Sequence, residues 1–217
     1  MSEQNQQTDS LQDVRDIRRL MERSSRFTSL SGLSCVAAGV CALGGAFFGY
    51  RFISNYYGQD DPGKWHYSND QFAALKNELL LLAAITFVLA FGLSFFFTWR
   101  KTKQQKSSLW DHSSRRVFWN MAIPLVAGGV FVLGMLKYDE WSFVAPACLV
   151  FYGLALVNAG KYTLADIRYL GYCEIVLGLI NMFEIGYGLY FWAIGFGALH
   201  IIYGIIMWNK YDRKIES

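Results

Sequence analysis

Read from its amino terminus, the chain alternates long apolar runs with short charged breaks. Six runs stand out: Thr28 to Tyr50, Leu79 to Trp99, Val117 to Leu136, Trp141 to Ala159, Ala165 to Phe183 and Tyr187 to Trp208. Each is close to the ~20 residues with which a helix crosses about 30 Å of hydrocarbon. Hydrocarbon offers backbone amides no partner but one another, so the runs are expected as helices. The pattern predicts an all-α polytopic membrane protein with six transmembrane helices. Ahead of them, Leu11, Val14, Ile17 and Met21 recur at helical spacing opposite Arg15, Arg18, Arg19 and Arg23. That segment reads as an amphipathic interfacial helix whose arginines reach anionic lipid head groups, the alternative being an arm that docks a partner. Residues 1–27 are therefore expected as a polar segment carrying this helix, 28–209 as the transmembrane domain and 210–217 as a tail.

The breaks between runs set the pairing. Lys137 to Glu140 and Glu184 to Gly186 are short enough to force antiparallel helix hairpins. Arg51 to Glu78 is expected as the longest connection, with Phe52, Tyr56, Tyr57, Trp65, Tyr67 and Phe72 at head-group level. Asp60, Asp61 and His66 in that connection read as a solvated turn and match no ligand spacing.

A repeat underlies the pairing. An aromatic-Gly-aliphatic step recurs in the second helix of each hairpin, at Phe91-Gly92-Leu93, Tyr152-Gly153-Leu154 and Tyr203-Gly204-Ile205. First helices carry small residues seven apart: Gly32 and Gly39, Ala122 and Gly129, Gly171 and Gly178. Seven residues are about two helical turns, so each pair shares a face that admits a neighbouring backbone. Gly32, Gly39, Gly92, Gly129, Gly153, Gly171, Gly178 and Gly204 are thus expected at helix contacts, in three hairpins of one design. A further stripe on the first span, Ala37, Cys41, Gly45 and Gly49, reads as a packing seam or the seam of a homo-oligomer.

This arrangement, carried best by Phe118 to Trp208 and especially by Gly171 to Gly178 and Tyr203-Gly204, resembles the HdeD-like acid-resistance membrane proteins of bacteria. The resemblance implies six spans in three glycine-marked hairpins, both termini cytoplasmic, and a stress-linked protein of the bacterial inner membrane. It implies no catalytic residues. The long first connection and the absence of proline from the short turns depart from that family.

Charge bears on orientation. Of the 20 Lys and Arg, 16 fall in the amino-terminal segment, the second and fourth connections and the tail. Basic connections stay on the cytoplasmic side, which places both termini there. The net charge of +3 is thus a topology signal and gives no reason to expect nucleic acid. At 53% hydrophobic residues the chain has room for one helical bundle and little outside it. The first run is too long for the apolar core of a signal peptide. Cys35, Cys41, Cys148 and Cys173 all lie inside runs and read as small packing residues.

Chemistry is sparse. Glu174 and His200 are the ionisable residues deepest in the runs, each about 12 to 14 Å from the cytoplasmic boundary at 1.5 Å per residue. Gly171, Glu174, Gly178 and Asn181 share one face of the fifth run, and Ala193, Gly197, His200 and Gly204 share one of the sixth. Facing those stripes would bring the acid and the histidine together. Glu174, His200 and Asn181 form the candidate polar site, either a structural hydrogen bond or a proton-responsive or substrate-contacting group. Asp166 and Arg168 read as an interfacial anchor, and Pro124, Asn120 and Pro146 as kinks or locally satisfied backbone. Gly32-Leu33-Ser34 is the one step similar to a rhomboid protease, on the wrong span. With no metalloprotease, P-loop or paired acidic motif, the expectation is a non-enzymatic membrane protein without cofactor or metal. A small-solute or proton-coupled transporter with its site near Glu174 and His200 is the alternative.

Overall fold

The computed structural model describes residues 31–58, 69–104 and 112–213. The amphipathic segment, the Asp60 to His66 turn and the last four residues lie outside them. Every element among the described residues is helical. Helix α1 spans Gly32–Gly58, α2 Asn69–Gln104, α3 His112–Lys137, α4 Val144–Ala159 and α5 Ala165–Asn181. A 3₁₀ turn, Trp141–Phe143, leads into α4. The last run is composite: α6 Gly188–Trp192, a π-helical stretch Ala193–Leu199, α7 His200–Met207 and a second π stretch Trp208–Asp212.

Among the described residues five elements are long and apolar enough to cross a membrane: Gly32–Tyr57, Phe72–Gln104, Ser113–Lys137, Trp141–Ala159 and Gly188–Asp212. The exception is α5. Its 17 residues reach only about 26 Å, and it carries Asp166, Arg168 and Glu174.

The expected connection from Arg51 to Glu78 is mostly helix. No Gly or Pro interrupts Arg51 to Tyr57 or Asn69 to Glu78, so α1 runs on to Gly58 and α2 begins at Asn69. At 36 residues α2 is about 54 Å long, well beyond one bilayer's hydrocarbon. Tyr56 and Phe72, expected in a loop, face each other from α1 and α2 with ring centroids 6.3 Å apart. Pro146 lies in the first turn of α4, where a missing N–H costs little. Pro124 sits within α3, near Asn120, whose side-chain amide donates to the Arg116 carbonyl at 2.8 Å.

Helices α1 and α2 pack together, as do α3 and α4. The third expected hairpin is different: α5 lies along α4, while α7 and the π stretch before it lie along α1. Glycines explain why. A Cβ on Gly153 or on Gly171 would stand 2.7 Å from the other's carbonyl oxygen. One on Gly32 would stand 2.5 Å from the Gly204 oxygen, and one on Gly39 2.7 Å from that of Gly197. A Cβ on Gly178 would lie 3.0 Å from the Pro146 oxygen. The small faces of α5 and the last run therefore do not face each other, because each is taken by another hairpin's backbone. Gly92 and Gly129, expected at contacts of the same kind, meet nothing within 4 Å. The α1 stripe is covered within the chain, Gly45 by Thr86 of α2 and Gly49 by Leu189 and Leu82.

Leu156, Leu164, Ile167, Leu170 and Met207 form the apolar core where α4, α5 and α7 meet.

Candidate functional site

Above that core lies a buried polar network drawn from three elements. The α4–α5 contact at Gly153 and Gly171 brings two backbones close enough for Tyr152 and Glu174, one residue before and three after those glycines, to reach toward the last run. Glu174 is 0% exposed and His200 3% exposed. His200 Nδ1 stands 3.3 Å from Glu174 Oε1 and 3.0 Å from the Gly195 carbonyl oxygen. On the far side of the ring, Nε2 is 2.8 Å from the Tyr152 hydroxyl. Phe196 closes the cluster, its ring centroid 5.1 Å from that of Tyr152 and 6.0 Å from that of His200.

The geometry allows two proton arrangements. With His200 neutral and its proton on Nδ1, that N–H donates to Gly195 and leans toward Glu174, while Nε2 accepts from the tyrosine O–H. With His200 protonated, Nε2–H donates to the tyrosine oxygen and Nδ1–H faces a carboxylate. Neither oxygen of Glu174 accepts a well-aligned hydrogen bond, so a lone carboxylate here would be buried and poorly satisfied. Such a group costs several kcal/mol, which favours Glu174 and His200 acting as one unit without net charge.

Glycine and a π turn make the room. A Cβ on Gly195 would fall 2.6 Å from Glu174 Oε2 and 2.5 Å from the Leu149 side chain. The π stretch ends at Leu199 and shifts the phase of the run, and His200 Nδ1 lies 3.0 Å from the Gly195 carbonyl oxygen five positions back. Gly197 and Gly204 can then face α1 while His200 turns toward α4 and α5.

Asn181, expected in the same site, is not part of it. Seven residues beyond Glu174, about 10 Å along the axis, its amide donates to the Glu184 carbonyl at 3.2 Å and ties down the end of α5. Asp166 pairs with Lys210 at 3.1 Å, joining α5 to the last run.

Two features escape the sequence reading. Tyr152 entered it only as the aromatic of a repeated step, although its hydroxyl, present in Tyr203 and absent in Phe91, was a signal. The other is a buried ion pair: Lys101 Nζ of α2 lies 2.6 Å from Asp212 Oδ1 at the end of the last run. Asp212 Oδ2 also accepts from the Gly32 N–H at 2.9 Å and the Ser31 hydroxyl at 3.3 Å. An acid there satisfies orphan donors at the α1 amino terminus and complements its dipole.

No family model matches the chain, and neither the curated proteins nor the solved structures compared with it contain a match.

Proposed function

We propose that the chain is a non-enzymatic, multipass protein of a bacterial inner membrane, accessory in role and linked to stress, with Glu174, His200 and Tyr152 serving as an internal tie. In this reading α5 also spans, giving six helices with both termini cytoplasmic. Seventeen residues suffice for α5 if the acid at its centre is sheltered by its neighbours, and Glu174 is sheltered completely. The observation that carries the reading is the close packing of the centre: Glu174 and Leu149 are both 0% exposed, and His200 is held between the Tyr152 hydroxyl, the Gly195 carbonyl and Glu174.

A second reading, a proton-coupled carrier working through the same pair, is favoured by the π stretch beside His200, since such turns concentrate at functional sites. Reconstitution separates the two. Liposomes holding the purified protein should leak protons and small solutes no faster than empty ones. A flux that disappears in Glu174→Gln would overturn the accessory reading in favour of the carrier. Orientation is checked independently with single cysteines at Tyr138 and Lys103, in a chain whose own cysteines are replaced. An impermeant reagent applied to intact bacterial cells should label position 138 and spare 103.

A further inference from the structure

Among the described residues the helices form an open circuit: α2 on α1, α1 on the last run, the last run beside α4 and α5, and α4 on α3. Its two free edges are α2 and α3. They are consecutive in sequence, joined at one end by residues 105–111. At the other end Lys76 of α2 pairs with Asp139, just beyond α3, and its ammonium lies 5.2 Å from the centre of the Trp141 ring. Trp141 Nε1 donates to the same carboxylate at 3.3 Å. Two antiparallel helices tethered at both ends would be expected to pack, yet α2 and α3 share no extended interface. Only 6% of the apolar window of each is buried, against 33% for α1 and 39% for the window containing α4.

The repeat shows what the missing interface would be. Both used glycine contacts join the first helix of one hairpin to the second helix of another: Gly32 with Gly204 and Gly39 with Gly197, then Gly171 with Gly153 and Gly178 with Pro146. Carried to the remaining pair, the same register sets Ala122 of α3 against Gly92 of α2, and Gly129 of α3 against Ile85 of α2. Among the described glycines within helices, Gly92 and Gly129 are the two that are exposed. Ile85 is 48% exposed. The unmet contact and the free edges coincide, although they come from separate observations.

We propose that α2 and α3 close on each other within one chain along Gly92·Ala122 and Ile85·Gly129, giving the bundle a sealed state beside the laterally open one described above. The Lys76–Asp139–Trp141 clasp is the pivot. In the open state acyl chains occupy the seam, and closure expels them for backbone contact of the kind seen at Gly153 and Gly171.

Cysteine cross-linking in bilayers tests this. Cys35, Cys41, Cys148 and Cys173 are first replaced by Ala or Ser, and Gly92→Cys with Ala122→Cys are introduced together. Both sites tolerate the change: Gly92 faces open space, and Ala122 already carries a methyl. Oxidation should give a disulfide within the monomer, and Ile85→Cys with Gly129→Cys should do the same. Adding Gly92→Leu should cut the yield of the second pair about tenfold, the effect of roughly 1.4 kcal/mol of overpacking. A disulfide formed only between chains would overturn the proposal in favour of a second copy on these edges. No disulfide, in a protein that is folded by circular dichroism and gel filtration, would overturn it in favour of permanent lipid contact.

Discussion

Gly171 and Gly92 are opposite halves of the repeated contact, the one engaged and the other open, and alanine separates them. At Gly171 the new methyl would stand 2.7 Å from the Gly153 carbonyl oxygen and 2.9 Å from the Val157 nitrogen, both backbone atoms that no rotamer change can move. Helices α4 and α5 must then separate by several tenths of an ångström, loosening the apolar core and the Tyr152–His200–Glu174 cluster together. Overpacking of this kind costs about 1 to 3 kcal/mol, less up to about 1 kcal/mol that alanine returns through helix propensity. At Gly92 the methyl meets nothing within 4 Å, so only the propensity gain applies. The two variants should therefore differ by about 1 to 3 kcal/mol in reversible unfolding in micelles, with Gly171→Ala the less stable and Gly92→Ala equal to or slightly above the parent. A sealed seam would not reverse this order, because the open state remains available to Gly92→Ala. Equal losses at the two sites, or none at Gly171, would refute the claim that the α4–α5 contact is set by backbone approach.

Three further outcomes are expected. Glu174→Gln and His200→Ala should each cost about 1 to 3 kcal/mol, and the double variant no more than the worse single; simple addition of the two losses would show that the side chains do not act as a unit. Lys101→Met or Asp212→Leu alone should destabilise by roughly 3 kcal/mol, Lys101→Met by stranding a buried acid, while the two together should lose less than the sum of the singles, the Gly32 N–H still lacking its acceptor, which a double-mutant cycle in urea reads directly. The hydrogen bond from Lys76 holds the Asp139 carboxyl below its ordinary value of 3.8, so the clasp contributes stability above that pH and loses it as acid protonates the group. The melting temperatures of parent and Asp139→Asn should accordingly differ at pH 7 and draw together as the pH falls below 3.8, and a gap that stays constant through that fall would sink the assignment.

The helices, five of them long and apolar enough to cross a membrane among the described residues, were legible because their apolar runs are long and their ends charged. The depth match of Glu174 and His200 was legible from simple rise per residue, and the two side chains do lie 3.3 Å apart. Their route to contact was not. Sequence spacing assumes an unbroken α-helix, whereas the π stretch before His200 turns the run and lets Gly197 and Gly204 serve α1. Periodicity named six glycines that do meet another helix's backbone and two, Gly92 and Gly129, that do not, and it could not tell which helix each would meet, since a glycine accepts any backbone. Asn181 shared a face with Glu174 and still served only the end of its own helix, because a face is about 25 Å long and a hydrogen bond about 3 Å. Nothing in the sequence pattern joins Asp212 to Lys101, and only tertiary proximity makes them a pair.

Gly195 leaves the room that the acid of this polar centre occupies. Its carbonyl serves His200, and its missing side chain leaves the space that Glu174 Oε2 occupies, 2.6 Å from where a Cβ would stand. The atoms that a methyl at 195 would meet first are side-chain ends, those of Leu149 and Glu174, so such a methyl would turn the acid aside before it moved any backbone. Position 195 is therefore a handle on the acid alone: a substitution there perturbs Glu174 while the close backbone contact of Gly153 and Gly171 stays in place.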